Sequence, residues 1–271
     1  MATFERDGGS VYFEDYGRGD SAIVLLHGWG MGVRTWDYTL PALLAAGHRV
    51  VAMDHRGCGR SDKDFGDMGI AAIAGDAVAL VGRLGLKKVV LNGWSLGGAV
   101  AVAAAAQLGT ACSGLVLTCG ATPAYLQKPD YPHGGTQEVF AQTLAGLAAD
   151  RVNFLSALAK GVCAKPVSTE VQDWLWRIFL EASPHAATTL AELGALDQRR
   201  LLASLQVPIL NFVGGRDAIM DPDVSRTVKD FNPGTRTVEF EEAGHAPFIE
   251  ESGRYNDELL AFLAETLRST G

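Results

Sequence analysis

The sequence predicts an α/β protein: one doubly wound, mostly parallel sheet of eight strands, with a helical lid inserted ahead of its last two strands. Three observations carry this prediction. Short runs rich in Val, Ile and Leu alternate with longer segments at helical period, as strands buried on both faces and their crossover helices require. The order of these segments is β-β-β-α-β-α-β-α-β, an insertion, then β-α-β-α. The insertion is helical in pattern, with no strand-like alternation. With 48% hydrophobic and 20% charged residues the chain can bury a core, which excludes intrinsic disorder, and 271 residues fit one α/β domain of ordinary size.

In chain order, Phe4–Arg6 and Ser10–Tyr16 read as an antiparallel hairpin joined by Asp7-Gly8-Gly9. The remaining strand candidates are Ala22–Leu26, Arg49–Met53, Lys88–Leu91, Gly114–Thr118, Val207–Val213 and Arg236–Phe240. Between them fall helices Thr35–Ala46, Ile70–Leu84, Leu96–Gln107 and Pro222–Lys229, and Arg254–Leu267 closes the fold. Ala99–Ala106 is Ala-rich, so that helix can lie close on the sheet.

The insertion opens with the turn-prone Pro123, Pro129, Pro132 and Gly134-Gly135. Helical segments Thr136–Ala149, Val152–Lys160 and Thr169–Glu181 follow. The expected organisation is a core of residues 1–121 and 199–271 with a lid of residues 122–198.

Twenty-three Lys and Arg against 31 Asp and Glu leave a formal charge of −8, and no basic run offsets it. Such a chain repels phosphate backbones and anionic lipid, so nucleic acid is not an expected partner. The most apolar stretch, Gly97–Leu108, is about a dozen residues, short of the ~20 that a membrane span needs. Cys58, Cys112, Cys119 and Cys163 show neither CxxC nor zinc spacing and read as reduced thiols. The N-terminus lacks the pattern of a signal peptide. A cytoplasmic protein without a membrane partner is expected.

The strongest chemical signal is Asn92-Gly93-Trp94-Ser95-Leu96-Gly97-Gly98, set between a strand and the Ala-rich helix. A serine on a sharp strand-to-helix turn needs neighbours two positions away without side chains. The turn lifts its hydroxyl above the sheet, next to the partial positive charge of the helix N-terminus.

Serine is a poor nucleophile at neutral pH and needs a base, itself oriented by a third group. His133 and His185 lie in the lid beside prolines, whereas His245 follows strand Arg236–Phe240 at the sheet edge where open α/β sheets place their sites. Asp217, after the run Pro208–Val213, is the expected orienting carboxylate. Asp221-Pro222 reads instead as a helix N-cap with proline in the first turn. Donors for an oxyanion are expected from the backbone N–H groups of Leu96 and Trp29. His27 reads as a buried structural histidine. Asp54-His55-Arg56-Gly57-Cys58-Gly59-Arg60-Ser61-Asp62 lacks any phosphate-loop pattern and reads as an ion-paired turn. No metal motif such as HExxH is present, and no cofactor is expected.

Together, His27-Gly28-Trp29-Gly30, the Asp54–Asp62 stretch, Gly93–Gly98, Gly214-Gly215-Arg216-Asp217 and Gly244-His245-Ala246-Pro247-Phe248 resemble the α/β-hydrolase superfamily over nearly the whole chain, least so in the lid. The first half looks most like small bacterial arylesterases once called cofactor-free haloperoxidases, with Cys58 where that group usually has histidine. The serine nucleophile is unlike the aspartate of haloalkane dehalogenases and epoxide hydrolases. Ala246 is unlike the Trp usual in C–C bond hydrolases. The segments around Ser95 and His245 are also similar to those of some acyl-homoserine lactonases.

The resemblance implies a serine-dependent hydrolase of small carboxylic esters, with Ser95, His245 and Asp217 as its triad and peracid formation as a side activity. A lactonase on the same triad is the first alternative. A ligand receptor or non-catalytic protein of this fold is the second. Trp94, Trp174, Trp176, Phe179 and Phe248 are the candidate substrate contacts. The spacing of 174, 176 and 179 prevents all three from sharing one helix face.

Overall fold

A computed structural model describes residues 2–267. The eight strands are β1 (Ala2–Arg6), β2 (Gly9–Tyr16), β3 (Ser21–Leu26), β4 (Val50–Met53), β5 (Lys88–Trp94), β6 (Cys112–Thr118), β7 (Ile209–Gly214) and β8 (Arg236–Phe240). They form one sheet in the order β1-β2-β4-β3-β5-β6-β7-β8. β1 with β2 and β2 with β4 are antiparallel, and every pair from β4 through β8 is parallel. The hairpin turn is tighter than the sequence suggests. Arg6 pairs with Gly9, and Asp7 and Gly8 both take positive φ (47° and 85°), the pattern of a two-residue turn that matches strand twist.

The central strands are buried on both faces, which is why they read as unbroken aliphatic runs: Ile23 through Leu26 and Val89 through Leu91 are at most 1% exposed. Burying each such side chain contributes about 1.5–3 kcal/mol. β5 runs three residues past its apolar stretch. Asn92 does not end it because its buried side chain bonds Tyr255 Oη (3.0 Å) and Thr118 Oγ1 (3.1 Å).

The helices are α1 (Leu40–Ala45), α2 (Ile70–Arg83), α3 (Leu96–Leu108), α4 (Gln137–Ala149), α5 (Arg151–Gly161), α6 (Thr169–Leu180), α7 (Ala187–Glu192), α8 (Arg199–Ser204), α9 (Pro222–Arg226), α10 (Val228–Phe231), α11 (Pro247–Glu250) and α12 (Ser252–Thr266). Two predicted helices are divided. Thr35–Ala46 becomes a 3-10 segment, Val33–Tyr38, followed by α1, because Pro41 has no N–H to continue the ladder and can stand only in a first turn. Pro222–Lys229 becomes α9 and α10. They meet at Thr227, whose hydroxyl bonds the Val224 carbonyl and Tyr131 Oη. None of the helices among the described residues is long and apolar enough to cross a membrane.

Between β6 and β7 the chain adds no strand to the sheet and carries α4 to α8, with only isolated bridges at Leu126–Gly135 and Lys128–Tyr131. Thr136 and Asp150 cap α4 and α5 by accepting bonds from Val139 N–H and Asn153 N–H. The ends of this segment close on each other: Gln198 N–H donates to the Pro123 carbonyl (2.7 Å), while its side-chain amide donates to the Ala99 carbonyl of α3 (2.8 Å).

Candidate active site

The strand order reverses between β3 and β5, and their C-terminal ends meet at that point. Such a switch point opens a crevice above the sheet. Ser95 sits there, between β5 and α3, with φ 55° and ψ −122°. A left-handed φ is strained for a non-glycine residue and persists only where surroundings fix it. Those surroundings are visible. Ser95 N–H donates to the Thr118 carbonyl (3.0 Å), and its own carbonyl accepts from Gly98 and Ala121 N–H (both 2.8 Å).

The flanking glycines are needed on steric grounds. A Cβ on Gly93 would overlap the Gly97 carbonyl. One on Gly97 would overlap the Leu26 carbonyl and lie 2.5 Å from that of His27. Gly98 would meet the Gly120 Cα at 2.7 Å, so α3 rests directly on the end of β6. Leu96 opens α3, and its N–H is among the first four of the helix, which have no partner within it. Across the crevice, a Cβ on Gly28 would lie 3.3 Å from Ser95 Cβ, so the Gly28–Trp29 turn passes directly beside the serine.

His245, 3% exposed, is held from three sides. Its N–H donates to the Val162 carbonyl (2.9 Å), its carbonyl accepts from the Trp94 indole (2.7 Å), and Nδ1 lies 2.5 Å from Asp217 Oδ2. Asp217 Oδ1 accepts from Ile219 N–H (2.9 Å) and Met220 N–H (3.0 Å), which fixes the carboxylate plane. Nδ1 therefore carries the proton toward the carboxylate, and Nε2 is left as the free acceptor. Cys119 Sγ, Asp217 and His245 lie within 4.8 Å of one another. They do not form an open metal site, because His245 and Asp217 already bond each other and burial with the nearby Asp217 charge pushes the Cys119 thiol well up, keeping it protonated.

A cavity of about 360 Å³ contains Ser95 and His245 together with Gly28, Trp29 and Trp94. Its other walls are Phe154, Ala157, Leu158, Gly161 and Val162 from α5 and its end, Phe179 from α6, Leu190, Leu193, Tyr125, Thr143, Ala218 and Ile219. None of these is Asp, Glu, Lys or Arg.

Of the five predicted substrate contacts, Trp94 and Phe179 line the cavity and three do not. Trp174 lies on the other side of α6, against Tyr38 at 5.8 Å. Trp176 is half-buried on the same helix, which turns Leu175, Ile178 and Phe179 inward instead. Phe248 is fully buried among Trp36, Trp94 and Tyr255, beneath the site. The cavity-lining residues absent from that expectation are those of α5. Residues 154, 157, 158 and 161 form an i, i+3, i+4, i+7 stripe legible in the sequence, whereas the aromatic residues of α6 at 174 and 176 carry no such common face with Phe179.

The other singled-out residues have structural partners. Asp221 caps α9, accepting from Asp223 N–H (3.0 Å) and Gly134 N–H (2.9 Å). His133 lies beside Tyr131 and Asp223, and His185 in an exposed 3-10 turn. His27 is completely buried: Nε2 accepts from His55 N–H (2.9 Å), Nδ1 bonds the Gly28 carbonyl (2.7 Å), and burial depresses its pKa to about 4. Arg56 is buried against Asp76 at 2.6 Å and Asp7 at 2.5 Å, and Asp54 accepts from Val33 and Arg60 N–H. One role was not foreseen: Glu250 accepts from Gly244, Ala164 and Lys165 N–H (each 2.8 Å), tying the His245 loop to the end of α5.

This sheet, with a strained serine at the switch point and a histidine–aspartate pair over the same crevice, defines a hydrolase class. A family profile described as alpha/beta hydrolase fold matches residues 21–252, and the chain belongs to that family. It is 31% identical over 258 residues to the AB hydrolase superfamily protein YisY of Bacillus subtilis, covering 93% of this chain and 95% of that one. It is also 31% identical over 252 residues to the pimeloyl-[acyl-carrier protein] methyl ester esterase of Sodalis glossinidius, covering 89% and 92%. Among solved structures, an esterase from Exiguobacterium antarcticum superposes with a TM-score of 0.90 at 28% identity, covering 94% of this chain and 96% of that one.

Proposed function

We propose that this protein is a serine-dependent carboxylic-ester hydrolase with Ser95 as nucleophile, His245 as general base and acid, and Asp217 as the orienting carboxylate. His245 Nε2 takes the hydroxyl proton as Ser95 Oγ attacks the ester carbonyl. The resulting oxyanion accepts from the backbone N–H groups of Trp29 and Leu96. His245 then protonates the leaving alcohol. Water, deprotonated by the same nitrogen, attacks the acyl-enzyme and releases the acid and the free serine. Asp217 holds Nδ1–H and stabilises the imidazolium at both stages.

The observation that carries this reading is the conjunction of a left-handed Ser95 with a His245 already bonded to Asp217 at 2.5 Å, both residues facing one cavity. The absence of charged side chains from its walls favours an uncharged, apolar acyl or alcohol group over an acidic one. Esterases among the relatives and solved structures support the same reaction class. We assign residues 122–198 as the lid. Its ends meet at Pro123 and Gln198, and α5 and α6 wall the cavity. Four unpaired cysteines fit a reducing, cytoplasmic compartment.

The test is fluorophosphonate labelling followed by kcat/KM on p-nitrophenyl acetate beside a lactone panel. The wild type should label on Ser95. Ser95→Ala should lose labelling and about 10⁵–10⁶ of kcat. Ser95→Ala activity within tenfold of wild type would end the reading. Lactones turned over much faster than every ester would move the substrate class while leaving the triad in place.

A further inference from the structure

We infer that Tyr125 is a specificity-determining partition. It closes the active-site cavity from a second chamber and so sets the longest acyl chain the enzyme accepts. The inference rests on the ester-hydrolase reading of the same site.

A second cavity of about 280 Å³ lies beyond the first, and Tyr125, Thr143, Ala218 and Ile219 line both. The two spaces are therefore neighbours across one thin wall. The far chamber is lined further by Leu126, Phe140 and Met220, and by the exposed Gly135, Val139 and Asp221, where it meets solvent. Its buried side chains Leu126, Phe140 and Met220 are apolar, and Ser95 is not part of its lining, as the distal end of an acyl chain requires.

The wall is weakly fastened. Tyr125 Oη donates to the Ile219 carbonyl at 3.5 Å, the long limit of a hydrogen bond, and its ring meets Phe140 edge-on at 5.7 Å. Its backbone is fixed more firmly. The Leu126–Gly135 bridge holds the strand-like segment after Tyr125, and Gly134 (φ 91°) approaches so closely that a Cβ there would overlap the Tyr125 carbonyl. A rigid backbone carrying one large ring across the wall shared by these two cavities is the arrangement of a length gauge. Removing the ring joins the two spaces without moving Ser95, His245 or Asp217, none of which bonds Tyr125.

The experiment measures kcat/KM over p-nitrophenyl esters from acetate to dodecanoate for wild type, Tyr125→Phe and Tyr125→Ala. In parallel, calorimetry follows binding of n-alkyl carboxylates of the same lengths, which needs no turnover. Each methylene newly buried should contribute about fourfold. The decanoate-to-butyrate ratio should therefore rise at least tenfold in Tyr125→Ala, with longer carboxylates binding correspondingly tighter. Tyr125→Phe keeps the ring and should keep the wild-type length optimum. Ile219→Ala, which thins the same wall from the other side, should shift the optimum in the same direction and decides the matter if Tyr125→Ala does not fold. A length optimum unchanged within twofold in a folded Tyr125→Ala or Ile219→Ala overturns the inference. Wild type inert on every ester, with carboxylate binding still lengthened by Tyr125→Ala, overturns the hydrolase reading and leaves the chamber assignment standing.

Discussion

Replacing Asp217 by Asn isolates what the carboxylate contributes beyond its shape. Oδ1 accepts two backbone N–H groups at 2.9 and 3.0 Å, and Oδ2 faces His245 Nδ1 at 2.5 Å. An asparagine amide has one oxygen and one NH₂ to place in these two positions. With the oxygen toward Ile219 and Met220, both backbone donors stay satisfied and the NH₂ points at Nδ1. With the amide reversed, two buried N–H groups lose their acceptor, at about 1–3 kcal/mol each, so the first arrangement wins. Nδ1 must then accept, which moves the ring proton to Nε2, the atom required to take the proton of Ser95. A tautomer error of this kind costs about 10⁴ in kcat with geometry otherwise intact, equivalent to about 5.4 kcal/mol of barrier. Loss of the charge-assisted bond should lower stability by about 1.5–3 kcal/mol, a shift of several degrees in Tm. The assay is kcat/KM on p-nitrophenyl acetate together with thermal melting. If Asp217→Asn retains more than a tenth of wild-type kcat/KM, the carboxylate does not set the histidine tautomer and the reasoning fails.

Two further predictions concern the frame around the site. Gly97→Ala places a methyl group inside the Leu26 carbonyl and 2.5 Å from that of His27, forcing α3 off β3. Overpacking of about 1–3 kcal/mol should lower Tm by several degrees and reduce esterase activity, whereas Gly82→Ala, where a methyl meets nothing within 4 Å, should raise Tm slightly. Equal melting shifts for the two variants would show that the turn at Ser95 tolerates a side chain at position 97. His27 is held neutral, with its pKa depressed from 6.5 to about 4. The unfolded chain therefore binds a proton that the folded one refuses between those values, and the stability from this group is lost as pH falls through 6.5 toward 4. At about 1.4 kcal/mol per pH unit the loss approaches 3 kcal/mol. His27→Gln can preserve both hydrogen bonds without titrating, so any Tm advantage of wild type over the variant should shrink from pH 7 to pH 5. The opposing titration of Asp54, raised to about 6 by burial, is common to both proteins and cancels in the comparison. A pH-independent difference refutes this account.

How much of this was legible depended on whether the deciding physics was local. The strand-to-helix turn at Ser95 was local: glycines at 93, 97 and 98 around a serine have a steric reason confined to a few residues, and they sit where backbone contacts leave no room for Cβ atoms. The Asp221 cap was legible for the same reason, since Asp-Pro supplies both the acceptor and the fixed φ of a first turn. Helix division at Thr39 and Thr227 was less so. Pro41 marked the first break, but the second depends on a hydroxyl meeting Tyr131 from 96 positions away.

The sequence by itself determined the class of sheet and which residues could carry acyl-transfer chemistry, because hydrophobic period, turn sterics and strand-end positions are properties of short windows. Only the tertiary structure decided which residues between β6 and β7 line the cavity with Ser95, that Trp174, Trp176 and Phe248 turn elsewhere, and that Tyr125 stands between two chambers. Apart from Phe248, which packs with Trp36, Trp94 and Tyr255, those outcomes depend on how the helices between β6 and β7 are rotated over the sheet. That rotation is fixed by long-range packing and by bonds such as His245 N–H to Val162 and Glu250 to Ala164, which no local pattern encodes.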